Sequence, residues 1–360
     1  MREQTAAADA PARTWVEVDL GAVVANARTV AARATGARLL PIVKADAYGL
    51  GAVPVARALE AVDPWGFAVA TAHEGRELRE AGITRPVLVM GPQAHALDLV
   101  AQHGLTPALG SVEQICAWLD LAPGRPFHVE VDTGMARWGL PWQAVAAEAA
   151  KFQGAPGFEG IFTHFHSPAE APASVAEQWG RFQSAVAALA RRPPLVHAAN
   201  SAAILDFPET AGDLVRPGIF LYGGRAGSHV PRRVVEWRAR VLATRWLEPG
   251  QTVSYGASWR ADARTSIATI AAGYADGVPR SLSNAGAALL EGRRRPFAGR
   301  VTMDFTMVAA PSEPAAGAVA TLIGRDGGEA IELDDFAAAA GTISYEILVG
   351  LGRRVTRVYR

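Results

Sequence analysis

The apolar and polar positions of this chain follow one rhythm from about residue 38 to 222 and another from about residue 235 onwards. In the first part, short apolar runs alternate with stretches whose apolar positions recur at helical spacing. Eight strands alternating with helices indicate parallel βα units, which suit a closed (β/α)8 TIM-type barrel and an α/β fold class. The predicted strands are 39–44, 66–70, 87–90, 105–109, 127–131, 158–164, 195–199 and 214–221.

An open, doubly wound sheet is the structural alternative. Such a sheet usually has a Gly-rich turn after its first strand, where it holds a dinucleotide. Here the turn after residues 39–44 contains Lys44 and Tyr48, and no G-x-G-x-x-G run follows a strand. The pattern therefore favours the barrel.

The second rhythm predicts a mainly β C-terminal domain with one short helix at 333–340 and a closing segment 353–360. The early segment 15–20 alternates like a strand and pairs either with the barrel or with this second domain. The predicted strands here are 234–243, 252–255, 266–272, 287–290, 299–308 and 319–323. The expected organisation is a flexible N-terminal segment 1–13, a barrel domain 14–234 and a β domain 235–360.

Composition and charge exclude several classes of function. The 35 acidic residues balance the 35 lysines and arginines, and the basic triplet Arg293–Arg295 is expected in a solvated turn, so no nucleic-acid partner is predicted. No apolar run approaches about 20 residues and no leader is evident, so we expect a cytoplasmic protein without a membrane partner. The single cysteine, Cys116, lies in an apolar helical pattern and is expected in the core. No metal site is predicted.

Lysine is almost absent from this chain, which has only Lys44 and Lys151. Because the chain otherwise uses arginine, position 44 is expected to require an amine that can lose its proton, which a guanidinium cannot do. A buried lysine of lowered pKa forms a Schiff base or removes a proton. Lys44 ends an apolar run, which favours this chemical interpretation over a surface lysine, whereas Lys151 lies in an Ala-rich stretch and is expected to be solvated.

The ends of the predicted barrel strands carry an unusual set of side chains. In barrels of this kind the chemistry lies where strands end, and the loops after the last two strands commonly hold phosphate. Ser201 and the amides of Gly218 and Ile219 are placed for that role. A lysine amine beside a phosphate site predicts pyridoxal phosphate (PLP), with Lys44 as the amine that binds it. The full strand-end set is Lys44, Tyr48, Asp132, Arg137, His164, His166, His197, Asn200, Ser201 and Arg216.

Eight segments, in order along nearly the whole chain, closely resemble alanine racemases, a family of PLP-dependent enzymes of fold type III. The resemblance implies a (β/α)8 barrel followed by a β domain, and a homodimer whose active sites are completed by the partner subunit. It also implies a role in D-alanine biosynthesis. The segments are 43–49, 132–139, 163–165, 200–203, 216–219, 253–256, 273–277 and 303–304.

The resemblance also assigns roles. Racemisation needs a base on each face of the α-carbon, and the resemblance implies that these are Lys44 and, from the partner subunit, Tyr255. A tyrosine needs a nearby positive charge to act as a base near neutral pH. His164, Arg137 and Arg216 would supply that charge. Arg216 matches the residue that faces the pyridine nitrogen, and because a guanidinium keeps its protons, the ring nitrogen would stay unprotonated, which favours racemisation over transamination.

The remaining roles follow from the same match. Arg137 would contact both the phenolic oxygen of the cofactor and the substrate carboxylate. Asn200 belongs to the matched cofactor-binding segment. The implied phosphate contacts are Tyr48, Ser201, Gly218, Ile219 and Tyr345, and the implied substrate contacts from the second domain are Met303, Tyr274 and Asp304, the last two narrowing the access channel.

The chain departs from the family pattern in several places. Glu130 stands where many members have a lysine that becomes carbamylated, and we hypothesise that it supplies the same negative charge directly and orients Arg137. Leu50 stands where histidine is frequent. The segment 164–168 is unusual, and His166 is equally well interpreted as a loop residue or a site residue, while the residues flanking Met303 are also unusual.

Alternatives remain at this point. A racemase of the same fold acting on serine, a larger amino acid or a dedicated biosynthetic substrate differs only in pocket size, which sequence does not give. A decarboxylase of related fold fits the residue set less well. A non-catalytic PLP carrier would not need the segment 235–360, which carries Tyr255 and Met303. A pseudo-enzyme would be expected to lack one of the two bases.

Overall fold

A computed structural model describes residues 12–360, and these divide into two compact units. The barrel unit comprises residues 23–221 and 225–231, and the β-rich unit comprises the described residues up to 22 together with 222–224 and 232–360. Most of the expected flexible segment 1–13 lies outside the described residues, since the first eleven are not described.

Residues 12–222 alternate short strands with helices. The strands are β1 Thr14–Val18, β2 Arg38–Leu39, β3 Phe67–Val69, β4 Val87–Met90, β5 Thr106–Leu109, β6 Phe127–Asp132, β7 Leu140–Pro141, β8 Phe158–Phe162, β9 Leu195–Asn200 and β10 Leu214–Arg216. The helices are α1 Leu20–Arg33, α2 Lys44–Gly49, α3 Ala52–Leu59, α4 Ala72–Glu80, α5 Leu97–Gln102, α6 Val112–Leu121, α7 Val145–Glu148, α8 Ala173–Ala187 and α9 Ser201–Asp206. Short 3-10 helices occupy Glu60–Val62, Ala94–Ala96, Ala149–Lys151, Pro208–Thr210 and Ile219–Tyr222.

Eight parallel strands form the centre of the barrel unit. Their order is β2-β10-β9-β8-β6-β5-β4-β3, and each neighbouring pair is parallel. The two ends of this series meet through a bridge between Ile42 and Ala68, where the Val43 amide donates to the Ala68 carbonyl at 2.8 Å. Strands buried on both faces need near-continuous apolar sequence, which explains why the apolar runs located them. The predicted barrel is confirmed.

Several barrel helices begin at side chains that satisfy their first amides. Thr71 and Glu74 form a capping box at the start of α4, in which each side chain accepts a hydrogen bond from the backbone of the other. Ser111 caps α6 and Asn200 caps α9. These caps follow directly on strand ends, so they fix how the chain leaves the barrel rim.

The β-rich unit contains β1 and the strands β11 Val235–Leu247, β12 Thr252–Val253, β13 Trp259–Arg260, β14 Thr265–Ile270, β15 Ala287–Leu290, β16 Arg293–Pro296, β17 Thr306–Ala310, β18 Val319–Asp326, β19 Glu329–Ile331 and β20 Thr356–Tyr359. Its helices are α10 Leu333–Ala339 and α11 Ser344–Val349, with 3-10 turns at Tyr255–Ala257 and Arg280–Leu282.

Strand β11 organises this second unit. It pairs antiparallel with β1, β14 and β18, and β1 also pairs in parallel with β20. The early segment is therefore a strand of the β-rich sheet. Alternate residues of the first half of β11 are buried, and Trp237 packs against Phe336 of α10 with ring centroids 6.0 Å apart. The predicted mainly β C-terminal domain is confirmed.

Some sequence expectations differ from the structure. The predicted strand 214–221 ends at Arg216 and continues as a 3-10 helix, because Pro217 and Gly218 interrupt it. The triplet Arg293–Arg295 lies in strand β16 rather than in a turn. Cys116 is exposed, since it lies on the opposite face of α6 from the buried Ile115 and Trp118, so the expectation that it is in the core was wrong.

Lys151 is exposed, as predicted. Among residues 12–360, no helix combines the length and the apolar content needed to cross a bilayer.

Candidate functional site

Lys44 opens a left-handed helical turn. Ala45, Asp46, Ala47 and Tyr48 have φ angles between 51° and 58°, a conformation that costs about 1 to 2 kcal/mol per non-glycine residue. The local sequence does not favour this turn, so tertiary contacts must hold it. It replaces the end of the predicted strand 39–44, whose regular part is only Arg38–Leu39.

Glu74 of α4 supplies those contacts. One carboxylate oxygen accepts from the Ala45 amide at 2.7 Å, and the other accepts from the amides of Ala70 at 2.7 Å and Thr71 at 3.0 Å. At the far end of the turn, the Asp46 carboxylate accepts from the Ala52 amide at 2.7 Å. The turn that carries Lys44 is therefore tied to two neighbouring barrel elements.

The environment of Lys44 favours its neutral amine. Burial, followed by the positive charge of Arg137, lowers the pKa of Lys44, while Glu74 and Glu130 act in the opposite direction. A lowered pKa makes more of the amine available as a nucleophile or base. The pKa of Lys44 therefore depends on the charges of Arg137 and Glu130.

Arg216, at the end of β10, is almost completely buried, with 2% of its surface exposed. Its Nη2 donates to the carbonyls of Thr163 at 2.6 Å and Ala198 at 2.9 Å, and its Nη1 donates to His197 Nδ1 at 2.7 Å. Its Nε–H is buried and has no partner. Because an unmet buried donor is costly, this N–H marks a place for an acceptor that the chain itself does not provide.

His164 is a neutral, half-buried ring near Arg216. Its Nδ1 lies 3.5 Å from Arg216 Nη2, and burial, followed by the charges of Arg216 and Arg137, lowers its pKa well below the usual value. His164 therefore presents an uncharged ring rather than the positive charge that the sequence interpretation gave it.

Tyr48, Ser201 and Gly218 bring two hydroxyl groups and a backbone amide close together. The Gly218 amide donates to Ser201 Oγ at 2.8 Å, and a Cβ added to Gly218 would lie 2.5 Å from the Tyr48 hydroxyl. The side chain of Asn200 caps α9 through the Ala203 amide and donates to the Phe165 carbonyl at 3.1 Å. Since Asn200 performs the capping, the Ser201 hydroxyl is not used for it, and Ile219 follows as a buried residue.

Arg137 lies in an exposed loop that a carboxylate shapes. Asp132 accepts hydrogen bonds from the amides of Gly134 at 2.9 Å and Ala136 at 3.1 Å, and Ala136 adopts a positive φ of 53°. His166 is also exposed, and its Nδ1 pairs with the neighbouring Ser167 Oγ at 2.8 Å. This geometry fits the loop interpretation of His166.

Glu130 is buried, with 5% of its surface exposed, and it feels the charges of Arg216, Arg137, Asp132 and Lys44. Burial raises the pKa of Glu130 to about 7, against the opposing effects of Arg216 and then Arg137. Within the described residues, its side chain is not hydrogen-bonded to Arg137. Glu130 therefore acts on Arg137 through its charge in this state, and that charge is only partial near neutral pH.

In the β-rich unit, four of the predicted site residues are exposed, and Asp304 is half-buried. The exposed fractions are 73% for Tyr255, 53% for Met303, 45% for Tyr274 and 42% for Tyr345. Tyr255 stands in a 3-10 turn after Ser254, whose φ is 65°. It borders a cleft of about 410 Å³.

A buried carboxylate, Asp276, fixes the loops that carry these residues. It accepts from the Gly273 amide at 2.9 Å and from Arg354 Nε and Nη2 at 2.7 and 3.1 Å, and it is fully buried. Arg354 also pairs with Asp304 at 2.7 Å. Arg13 adds a third link, since its guanidinium donates to the Asp304 carbonyl. The two loops around 274 and 303 are thus held by one ionic cluster.

Sequence reasoning missed four residues that position the site. Glu74 had a readable signal, since Thr71-x-x-Glu74 is a capping-box pattern before a helix. Asp132 and Asp276 lay inside motifs but had no assigned role. His128 carried no local signal, because its partners are distant in sequence.

The barrel unit fits the predicted cofactor. The unpaired Arg216 Nε–H suits a pyridine nitrogen acceptor, and the hydroxyls of Tyr48 and Ser201 and the Gly218 amide form a polar cluster of the kind that binds a phosphate, against which a Cβ at Gly218 would not fit. Lys44 supplies an amine of lowered pKa. The residues that would hold PLP are Lys44, Tyr48, Arg137, His164, Asn200, Ser201, Arg216, Gly218 and Ile219.

Comparison with known proteins gives consistent matches. A family profile of the alanine racemase N-terminal domain matches residues 18–226, and a profile of the C-terminal domain matches residues 234–359. An alanine racemase from Symbiobacterium thermophilum is 42% identical, over 96% of this chain and 97% of that protein.

Solved structures agree. The crystal structure of alanine racemase from Bartonella henselae with covalently bound pyridoxal phosphate has a TM-score of 0.90 and 33% identity, covering 97% of this chain and 100% of that chain. The structure of alanine racemase from E. faecalis has a TM-score of 0.91 and 32% identity, covering 97% and 98%.

Proposed function

Because the chain belongs to the alanine racemase family, we propose that it interconverts L- and D-alanine with two bases, Lys44 and the Tyr255 of a partner subunit. The protein is a PLP-dependent racemase of this family. The single observation that carries the assignment of the cofactor site is the buried, unpaired Nε–H of Arg216.

Each residue of the barrel unit has a defined task in this proposal. When bound, PLP supplies an electron sink for the electrons left after α-proton removal. Lys44 binds the cofactor and moves a proton on one face of the α-carbon, since its lowered pKa leaves the amine able to accept that proton. Arg216 donates a hydrogen bond and keeps its own proton, because guanidinium is a far weaker acid than pyridinium.

Tyr255 moves a proton on the other face. Its 73% exposure supports a role completed by another surface, since a side chain that serves its own unit's core would be buried. Met303 would contact the substrate carboxylate, while Tyr274 and Asp304 would narrow the access channel, and Tyr345 would contact the phosphate. Exposed large apolar side chains on one unit are typical of an interaction surface, which supports the proposed homodimer.

Arg137 would bind the carboxylate end of the substrate. Arg137 is exposed in its loop and available to a carboxylate, and its positive charge acts on the buried Glu130, opposing the rise in the pKa of that carboxyl. In this proposal Glu130 takes the place of a carbamylated lysine and orients Arg137 without carbon dioxide. A cytoplasmic location remains a prediction.

The test is chiral analysis of products after PLP-loaded protein is incubated with L-alanine, L-serine or larger L-amino acids. We expect D-alanine to dominate. Preferential turnover of serine or a larger amino acid would keep the mechanism and reject alanine as the substrate. No turnover of any substrate, despite the visible absorbance of bound cofactor, would favour a carrier and reject the proposed function.

A further inference from the structure

Four side chains of the barrel unit form a continuous hydrogen-bonded chain through its interior. Arg216 Nη1 lies 2.7 Å from His197 Nδ1, His197 Nε2 lies 3.0 Å from His128 Nδ1, and His128 Nε2 lies 3.3 Å from Glu159 Oε2. Both histidines are fully buried, whereas the Glu159 side chain is 33% exposed. The chain therefore runs from the site to the edge of the barrel.

This chain has a single direction. A guanidinium is only a donor, so His197 Nδ1 must accept and the proton of neutral His197 is on Nε2. That N–H donates to His128 Nδ1, which places the proton of a neutral His128 on Nε2, where it donates to the Glu159 carboxylate. His197 is neutral because burial and then Arg216 lower its pKa well below the usual value.

The opposite arrangement is unfavourable. If His128 carried its proton on Nδ1, His197 would have to accept at Nε2 and carry its own proton on Nδ1. That N–H would then face the Arg216 Nη1–H at 2.7 Å, donor against donor. The favourable direction leaves the His128 Nε2–H at the outer end of the chain, where it needs an acceptor, and Glu159 is that acceptor.

Strand β8 supplies the other parts of this arrangement. Gly160 leaves room for the His128 ring, since a Cβ there would lie 2.6 Å from His128 Nδ1. Phe162 stacks on His197 with centroids 4.7 Å apart and an interplanar angle of 9°, and it also lies under Arg216 at 5.0 Å. The rings are thus held in place between two groups that favour the same tautomers, the donor Arg216 at the inner end and the acceptor Glu159 at the outer end.

We propose that Glu159 is a positioning residue that fixes the tautomers of His128 and His197 and thereby orients Arg216 in the site. This inference rests on the proposed function for its effect on catalysis, but the tautomers are properties of the chain alone. The reaction needs no proton to travel along the chain. Glu159 acts by holding Arg216 Nε–H in its position.

The test compares Glu159→Leu, which removes the acceptor, with Glu159→Gln, which keeps an accepting oxygen. Nitrogen-15 NMR of protein labelled at histidine reports which ring nitrogens carry protons, and the coupling across the His197–His128 hydrogen bond identifies the pair. We expect Nε2–H on both rings in the wild type and in Glu159→Gln, and a mixture or reversal in Glu159→Leu. The matched control is Glu170→Leu, at an exposed position outside the chain of hydrogen bonds.

Activity gives a second readout. We expect kcat for alanine to fall about tenfold in Glu159→Leu, with KM unchanged, and to recover in Glu159→Gln, as is typical when an outer partner of a site residue is lost.

Wild-type rings protonated on Nδ1, or tautomers and kcat unaltered in Glu159→Leu, would overturn the proposal. If Glu159→Leu does not fold, the wild-type tautomers still decide. If the wild type does not racemise alanine, the proposed function fails while the tautomers remain measurable.

Discussion

The barrel unit and the β-rich unit hold their site residues in opposite ways. In the barrel unit, Arg216 and Ser201 are buried and hydrogen-bonded to groups at neighbouring strand ends. In the β-rich unit, Tyr255 and Met303 are more than half exposed. Yet the loops around Met303 are fixed by the buried Asp276.

This difference separates two requirements of a two-base reaction. The electrostatics around a cofactor must be set in a region that excludes water, which needs burial and complete hydrogen bonding. A second base that arrives from another subunit must be presented on a rigid loop, with its side chain exposed until the subunits meet.

The largest effects are expected from removing the two bases. Lys44→Ala should abolish the visible absorbance of bound PLP and lower kcat by about 10⁴-fold or more, because amine and base are lost together. Tyr255→Phe should retain that absorbance and lower kcat by about 10²- to 10⁴-fold, because only proton transfer is lost. Absorption spectra and racemisation rates measure both effects.

Mixing these two variants tests whether sites are shared. A heterodimer of Lys44→Ala and Tyr255→Phe chains should regain activity, since one of its two sites would have both bases. Equal loss of PLP absorbance in both variants, or no regained activity in demonstrated heterodimers, would contradict the division.

Gly218→Ala tests the proposed phosphate site formed by Tyr48, Ser201 and Gly218. Its Cβ would lie 2.5 Å from the Tyr48 hydroxyl, so Tyr48 must shift, and we expect PLP affinity to fall about tenfold, equivalent to about 1.4 kcal/mol. Titration of cofactor-free protein with PLP measures this. The matched control is Gly180→Ala in α8, where a Cβ meets nothing within 4 Å and should stabilise the helix by about 1 kcal/mol. Unchanged PLP affinity in Gly218→Ala would show that the proposed phosphate site does not bind the phosphate.

Glu130→Gln tests the buried charge through pH. The pKa of Glu130 is raised in the folded protein to about 7 from an ordinary 4.5, so Glu130 favours folding at acid pH, and this contribution is lost as pH rises from about 4.5 to 7. The unfolding free energy of cofactor-free Glu130→Gln, taken relative to that of the wild type, should therefore be higher at pH 8.5 than at pH 5, by up to about 3 kcal/mol.

Chemical denaturation at the two pH values measures this difference. An equal offset at both values would mean that Glu130 is ionised throughout. In the loaded enzyme, the same variant should lose about tenfold in kcat if the charge of Glu130 orients Arg137. Full activity with an unmoved Arg137 would reject that role.

The smallest effect is expected from Arg354→Lys in the β-rich unit. A lysine cannot reproduce the two-pronged contact of Arg354 with Asp276 while also reaching Asp304, so the loop carrying Met303 should loosen. We expect KM for alanine to rise about threefold with PLP affinity unchanged. The neighbouring Arg353, exposed, gives the control Arg353→Lys. A change in PLP affinity instead would show that this cluster acts on the barrel side.

Much of the architecture followed from local pattern. The apolar runs located the eight barrel strands because parallel strands are buried on both faces, and the scarcity of lysine drew attention to Lys44. The strand-end motifs also gave the family. Where local pattern was ambiguous it failed: Cys116 shares a helix with buried residues but faces solvent, and Arg293–Arg295 pair as a strand.

The sequence by itself thus determined the order of elements, the fold class and the residue types at the site. Only the tertiary structure decided how those residues are held. The left-handed turn after Lys44 depends on Glu74, and the tautomers of His128 and His197 depend on Glu159. The register of β6, β8 and β9 places His128 beside Gly160 and Phe162 beside His197. Contacts between strands far apart in the chain follow from register and closure, which no local periodicity encodes.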